Sequence, residues 1–485
     1  MSSSITIESP PSVQFPSKMK APTQHEFPHG PGTPLETYEM PDRRPVMSNS
    51  STEAPSLDTR LQGGNSPSSG VTVDQMQTIW NPYKNRFRVL AASLFSLANG
   101  MNDAANGALI ESMEKNYSIS YGTVATIFLC NALGFLTTAI FVSTLSQKIG
   151  RAKTLIISEA TLMLGYTIII TTPPFGVVAF SYFILGIGMA MNLAIGQVFC
   201  ANLANNTAII GVYQGAYGLG GTLAPLIATS MISRGYLWSR FYIIELGLAT
   251  FNLFFAAWAF WNYEVESDPA LPPPASEDNS RGQTTSTRKR GWTSFKTLLS
   301  HKTTVLGALF IFGYQGAEVA ISGWVISFLV QIRHGDPSKV GYVTSGFWAG
   351  ITLGRFTLSF LAHRTGERSF VFVATAGALV LELLVWFVPS IPGDSVAVAL
   401  SGFLLGPIHP CSVHIFQRLI PKKMQIASLS FIGSIGSSGA AIAPFMTGMI
   451  AQKAGTFVLH PIVIALFASM VVTWWLLPKP ERKSQ

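Results

Sequence analysis

The chain has 485 residues, 48% of them hydrophobic and only 12% charged, with a net charge of +8. A soluble globular domain carries about 25% charged residues, so this composition argues for a chain dissolved in lipid, where each central charge costs about 2.5 kcal/mol or more. The basic residues sit in short runs between apolar segments, a pattern of membrane topology rather than of nucleic-acid binding.

Residues 1–84 are rich in Ser, Pro, Thr and Gly. Such a segment buries too little apolar surface to offset its ordering entropy, so a disordered cytoplasmic tail is expected, with no cleavable signal peptide. Apolar spans then follow at 87–110, 121–144, 152–171, 175–200, 208–233 and 237–262. A polar linker, 263–302, contains "DPALPPPASEDNS" and the basic "TRKRGWTSFKTLLSHK". Six more spans follow at 303–331, 340–362, 369–389, 394–417, 425–451 and 458–477, and a short tail covers 479–485. Each span is close to the ~20 residues that cross ~30 Å of hydrocarbon as a helix. The segments 208–233 and 425–451 are the least regular, being Gly-rich with an internal Pro. The fold class is therefore an all-α membrane protein with twelve transmembrane helices, and its expected domains are six-helix bundles at 85–262 and 303–478.

With the N-terminus placed inside, twenty Lys and Arg flank the inner ends of the spans and six the outer ends. That bias puts both termini in the cytoplasm. The two halves echo each other at a nearly constant offset: Gly150 is matched by Gly366, Pro225 by Pro444, Asp103 by Glu318, and Gly186 by Gly402. Parallel halves of this kind place a solute site near mid-membrane between them, reached by rocking one half against the other.

Asp103 and Glu318 are carboxylates in apolar spans at equivalent places in the repeat. Withdrawal from water disfavours the charged form of a carboxylate, so both are candidates for carrying a proton; the alternative is a hydrogen bond between helices. Asn99, Asn102 and Asn106 recur with Asp103 at helical spacing and form one polar face, expected to line a central cavity or to join helices. Asn192 and Gln197 in the fourth span, Gln315 and Trp324 in the seventh, and His409 in the tenth complete the candidate solute contacts. His409 stands at the partner position of Asn192 in the repeat. The glycines of "YQGAYGLGGTLAP" and of "AGITLGRF" suit close helix packing, and Arg355 is expected near the cytoplasmic end, pairing across a loop. Cys130, Cys200 and Cys411 lie singly in apolar stretches, so neither a disulfide framework nor a metal site is expected. The sequence carries no P-loop, "HExxH" or nucleophile elbow, so neither an enzyme, an ATP-driven pump nor a cofactor is expected.

The pattern over about 85–480 resembles the major facilitator superfamily. "SQKIGRAK" at 146–153 is similar to that family's loop between its second and third helices. Lys148, Gly150 and Arg151 match that pattern and imply a conformational loop, while Ser143 and Gln147 replace its Gly and Asp. "NGMND", "GAYGLGG", "FWAGITLGRF" and "GPIHP" resemble, more narrowly, the fucose:proton symporter-like branch and its fungal relatives. In that branch Asp103 stands where a carboxylate serves proton-coupled sugar binding, whereas Leu193 stands where a second acid is expected. The resemblance implies a monomeric secondary transporter, in the plasma membrane, moving a small organic solute with protons. Uptake of a sugar-like solute, efflux of a drug or metabolite by proton antiport, an uncoupled facilitator and a non-transporting sensor all remain open at this stage.

Overall fold

Long helices dominate because the apolar spans leave the backbone no partner but itself: in lipid every N–H and C=O must be satisfied within the segment. The computed structural model describes residues 77–204, 206–264, 300–421 and 424–478, all within one compact unit, Val73–Gln485. The expected tail before residue 77, most of the linker (265–299) and the tail at 479–485 lie outside the described residues.

The first six helices are α1 (Asn85–Tyr117), α2 (Tyr121–Ile149), α3 (Arg151–Ile170), α4 (Phe175–Ala201), α5 (Asn206–Ser233) and α6 (Phe241–Phe260). The second six are α7 (Lys302–Gln331), α8 (Val343–Thr365), α9 (Glu367–Phe387), α10 (Ile391–Leu419), α11 (Gln425–Ala454) and α12 (Leu459–Leu476). The twelve-helix, two-repeat architecture expected from the sequence is therefore present. Helix α10 is interrupted at Gly406–Pro407. Helices α5 and α11 run unbroken through Pro225 and Pro444.

Among the described residues nine helices are long and apolar enough to cross a membrane. Helices α1, α5 and α8 fall outside those nine although they have 33, 28 and 23 residues. Helix α1 is buried along most of its length, and polar residues such as Asn99 and Asn102 meet protein there rather than lipid. The outer faces carry the opposite signature: Ile140, Phe254 and Val373 are largely exposed, as a lipid-facing surface requires.

The halves are built alike. Helix α1 packs on α5 as α7 packs on α11; α2 packs on α4 as α8 packs on α10; α3 packs on α6 as α9 packs on α12. Between halves, α5 meets α8, α2 meets α11 and α1 meets α7. These contacts extend to the end where α1 finishes. There the Trp324 indole of α7 donates to the Pro444 carbonyl at 2.9 Å and lies edge-on to Tyr121 of α2, with ring centroids 5.5 Å apart. Gly107 of α1 comes so close to the Ser322 carbonyl of α7 that a Cβ there would collide with it. In the α7–α8 connection, Asp336 accepts from the Ser338 N–H and hydroxyl, which hold its carboxyl below the usual carboxylate range.

Candidate functional site

The α1–α5 pair places the first carboxylate. Gly100 packs directly against the backbone of Tyr217, a close approach that a side chain would prevent. One turn further along α1, Asp103 accepts a hydrogen bond from the Tyr217 hydroxyl at 2.6 Å. Asp103 is partly exposed.

Glu318 occupies the matching position on α7 but has different company. Its Oε1 lies 3.6 Å from Nη2 of Arg355 on α8 and accepts from Tyr314, one turn back, at 3.4 Å. Nη1 of Arg355 is buried and has no hydrogen-bond partner among the described residues. Arg355 therefore sits in the middle of α8 and pairs inside the span, which corrects the expectation of a loop contact at the cytoplasmic end. Mid-membrane burial of a guanidinium is tolerable because Glu318 offsets its charge.

The two groups lie on either side of the α5–α8 contact between the halves. Glu318 lies within electrostatic range of Asp103, and Tyr217 within range of both Glu318 and Arg355. The Tyr217 ring packs edge-on against Trp348 of α8, centroids 5.8 Å apart, and the Trp348 indole donates to Ser322 at 2.8 Å. His409 joins the second-half side, its ring 5.7 Å from that of Tyr314. The assembly offers a carboxylate, hydroxyls, a spare guanidinium donor and aromatic faces, a mixture suited to a polar solute with several hydrogen-bonding groups.

Other candidates are placed elsewhere. Asn99, Asn102, Asn106 and Asn192 are buried and turn into the first half: Asn99 donates to Asn192 at 2.8 Å, Asn192 to Glu159 at 3.0 Å and Asn102 to Tyr166 at 3.3 Å, while Asn106 accepts from Tyr182 at 2.8 Å. Gln197 is exposed, and Gln315 faces Gly436 of α11. Trp324 is fully buried in the seal between halves. In the α2–α3 loop Lys148 is exposed, Gly150 has a φ of 85°, and Arg151 donates through its guanidinium to Tyr263 at 2.8 Å and through its backbone to Glu264. Gln147 and Ser143, which replace the expected charged pattern, hydrogen-bond to each other at 3.3 Å.

Two buried carboxylates, Glu159 of α3 and Glu245 of α6, are absent from the sequence-based candidates. The signal that selected Asp103, an acid inside an apolar span, selects them too. In the second half Glu382 of α9 is matched by His460 of α12 at 2.7 Å, and Asp394 of α10 by Arg333 at 3.0 Å.

The family model of the Major Facilitator Superfamily matches residues 91–393 and 318–485. The Saccharomyces cerevisiae "Bypass of stop codon protein 6" is 25% identical over 81% of this chain and 83% of its own length. The Bacillus subtilis "Glucose/mannose transporter GlcP" is 20% identical over 73% of this chain and 85% of its own. Among solved structures a D-xylose-proton symporter superposes with a TM-score of 0.63 at 12% identity, covering 82% of this chain and 98% of that one. With the family model spanning nearly all of the twelve helices, the chain belongs to the major facilitator superfamily.

Proposed function

We propose that this secondary transporter of small solutes is proton-coupled and carries a sugar-like, hydroxyl-bearing solute, with Asp103 as the coupling group. The observation that carries the reading is the asymmetry at the meeting of the halves: Glu318 has Arg355 against it, while Asp103 has only the neutral Tyr217. A carboxylate largely withdrawn from water and without a counter-ion gains most from binding a proton. Glu318, Arg355, Tyr314 and His409 then serve as solute contacts on the opposite side. The sugar-like reading draws support from the mixed donors and acceptors and from the similarity to the glucose/mannose transporter GlcP and to the D-xylose-proton symporter.

The narrower placement in the fucose:proton symporter-like branch, with its fungal relatives, belongs to the same proposal. So do a monomeric state, the plasma membrane, cytoplasmic termini, the bundles at 85–262 and 303–478, and a cytoplasmic linker at 263–302. With that orientation the end sealed by Trp324 and Gly107 is the outer one. Rocking one half against the other would move the seal to the other end.

The test is flux in proteoliposomes under an imposed pH gradient, using a panel of sugars and hydrophobic metabolites and comparing wild type with Asp103→Asn. Concentration of a sugar by wild type, with exchange alone surviving in the variant, supports the proposal. Equal concentration by both proteins removes Asp103 from the coupling role, and extrusion of hydrophobic compounds in place of sugars reverses the direction and the solute class.

A further inference from the structure

The interior of the first six-helix half holds acids that the solute pathway does not use. Glu159 and Glu245 are fully buried, and no basic side chain among the described residues is in electrostatic range of either. Their surroundings are short of donors. Both oxygens of Glu245, Oε2 of Glu159, and Oδ1 of Asn99 and of Asn102 have no hydrogen-bond donor among the described residues. Each of the two asparagines donates one amide N–H elsewhere, Asn99 to Asn192 and Asn102 to Tyr166. Asn252 of α6, also fully buried, adds one more orphaned acceptor against one orphaned donor. The cluster therefore has a surplus of buried acceptor oxygens, and such oxygens are satisfied by a proton or by a cation that takes oxygen ligands.

Geometry makes this a seam. Glu159 and Tyr166 are two turns apart on α3, as are Glu245 and Asn252 on α6, so each pair shares a helix face about 10 Å long. The Tyr166 and Tyr242 rings stack across it, centroids 5.9 Å apart, and Tyr242 continues to Tyr182 at 2.6 Å between hydroxyls. The second half shows the contrast. The positions matching Tyr166 and Tyr242 in the repeat hold Glu382 and His460, an acid whose partner is built in at 2.7 Å.

We propose that this seam binds a monovalent cation, a proton or sodium, through Glu159 and Glu245, inside the first half and apart from the solute pathway. The titratable groups facing it are Asp103 of α1, Glu159 and Tyr166 of α3, Tyr182 of α4, and Tyr242 and Glu245 of α6. Tyr217 of α5 reaches them through Asp103. As a proton, the cation converts a carboxylate to a carboxylic acid whose O–H donates to a neighbouring orphaned oxygen. As sodium, it is coordinated by the orphaned oxygens directly. Because Glu245 lies in electrostatic range of Asp103, occupancy of the seam acts on the group proposed to couple transport. The inference goes beyond the proposed coupling at Asp103 and does not require it.

Infrared difference spectroscopy on the purified full chain tests this, through pH steps in choline chloride and through sodium chloride steps at fixed pH. The expected result is a protonated-carboxyl band in wild type that exchanges slowly in heavy water, is reduced in Glu159→Gln and Glu245→Gln, and survives in Asp103→Asn. A band that sodium removes identifies sodium as a competing occupant; a band indifferent to sodium identifies the proton alone. Either result supports the site. Identical pH and sodium responses in wild type and both glutamine variants overturn it. If the glutamine variants do not fold, wild type decides, because the lack of both a slowly exchanging carboxyl band and a sodium response also overturns it. The measurement reads cation binding and not flux, so it stands or falls separately from coupling at Asp103.

Discussion

Asp103 and Glu318 hold equivalent positions of the repeat in α1 and α7, yet only Glu318 has a cation beside it, Arg355 at 3.6 Å. The same structural slot is thus an ion pair in one half and an uncompensated acid in the other. Neutralising the two should have different consequences. Asp103→Asn keeps a hydrogen-bond acceptor for Tyr217 and is expected to leave folding and solute exchange near wild type while abolishing uphill accumulation. Glu318→Gln is expected to damage the protein itself, since it leaves Arg355 buried without its counter-charge. Size-exclusion profiles beside the flux assay separate the outcomes, and equal loss of folded protein in both variants would contradict the assignment.

The Arg355–Glu318 pair can be measured as a pair. Removing one partner of a buried ion pair costs about 3–5 kcal/mol, mostly because the other charge stays buried. Arg355→Gln and Glu318→Gln should each lower thermal stability in detergent, and the double variant should be less destabilised than the sum of the two. Strict additivity would mean that the two side chains do not interact in the folded protein.

Gly107 and Gly100 are both tight packing points on α1, but they face different neighbours. Gly107 meets Ser322 in the other half, whereas Gly100 meets Tyr217 within its own half. Gly107→Val is expected to hold the halves apart at the sealed end, cutting turnover at least about tenfold with expression and stability retained. Gly100→Val is expected to separate α1 from α5 and reduce the yield of folded protein, because forced overpacking costs about 1–3 kcal/mol. Thiol labelling of a single cysteine introduced at Ser120 reports the first effect; labelling unchanged by Gly107→Val would rule out wedging.

Much of the fold was legible because lipid imposes a strong rule on sequence. Twelve apolar runs, a break at 263–302 and landmarks repeating at a nearly constant offset led to two six-helix halves, and helices through Pro225 and Pro444 did form. The site was less legible because burial and facing are tertiary properties. Asn102 and Asn106 share a turn with Asp103 but point into the bundle, to Tyr166 and Tyr182. Trp324 reads as a solute contact by its place on α7, yet its ring packs across the gap between halves against Tyr121 of α2. Arg355 looked peripheral because a lone arginine in a span suggests a helix end; its counter-ion, Glu318, lies on the preceding helix. Glu159 and Glu245 went unselected because neither has a matching acid at the repeat offset, which is where Asp103 and Glu318 drew their prominence.

The α2–α3 loop offers a last prediction. The expected acid is replaced by Gln147, but Glu264, just after α6, accepts from the Arg151 backbone N–H, and the Arg151 guanidinium lies 4.7 Å over the Tyr263 ring. Arg368, one residue past the position that matches Arg151 in the second half, makes a comparable tie from α9 to the Pro478 carbonyl at 2.6 Å after α12. Both halves thus fasten their third helix to the end of their sixth. Glu264→Gln retains an acceptor for the first N–H of α3 and should be near neutral. Glu264→Ala removes it and should cost about 1 kcal/mol, as loss of a helix cap does. Arg151→Ala should lower turnover a few-fold with little change in the solute concentration giving half-maximal rate, since the tie holds the scaffold and touches no solute contact. A change in that concentration with turnover intact would instead place Arg151 on the solute path.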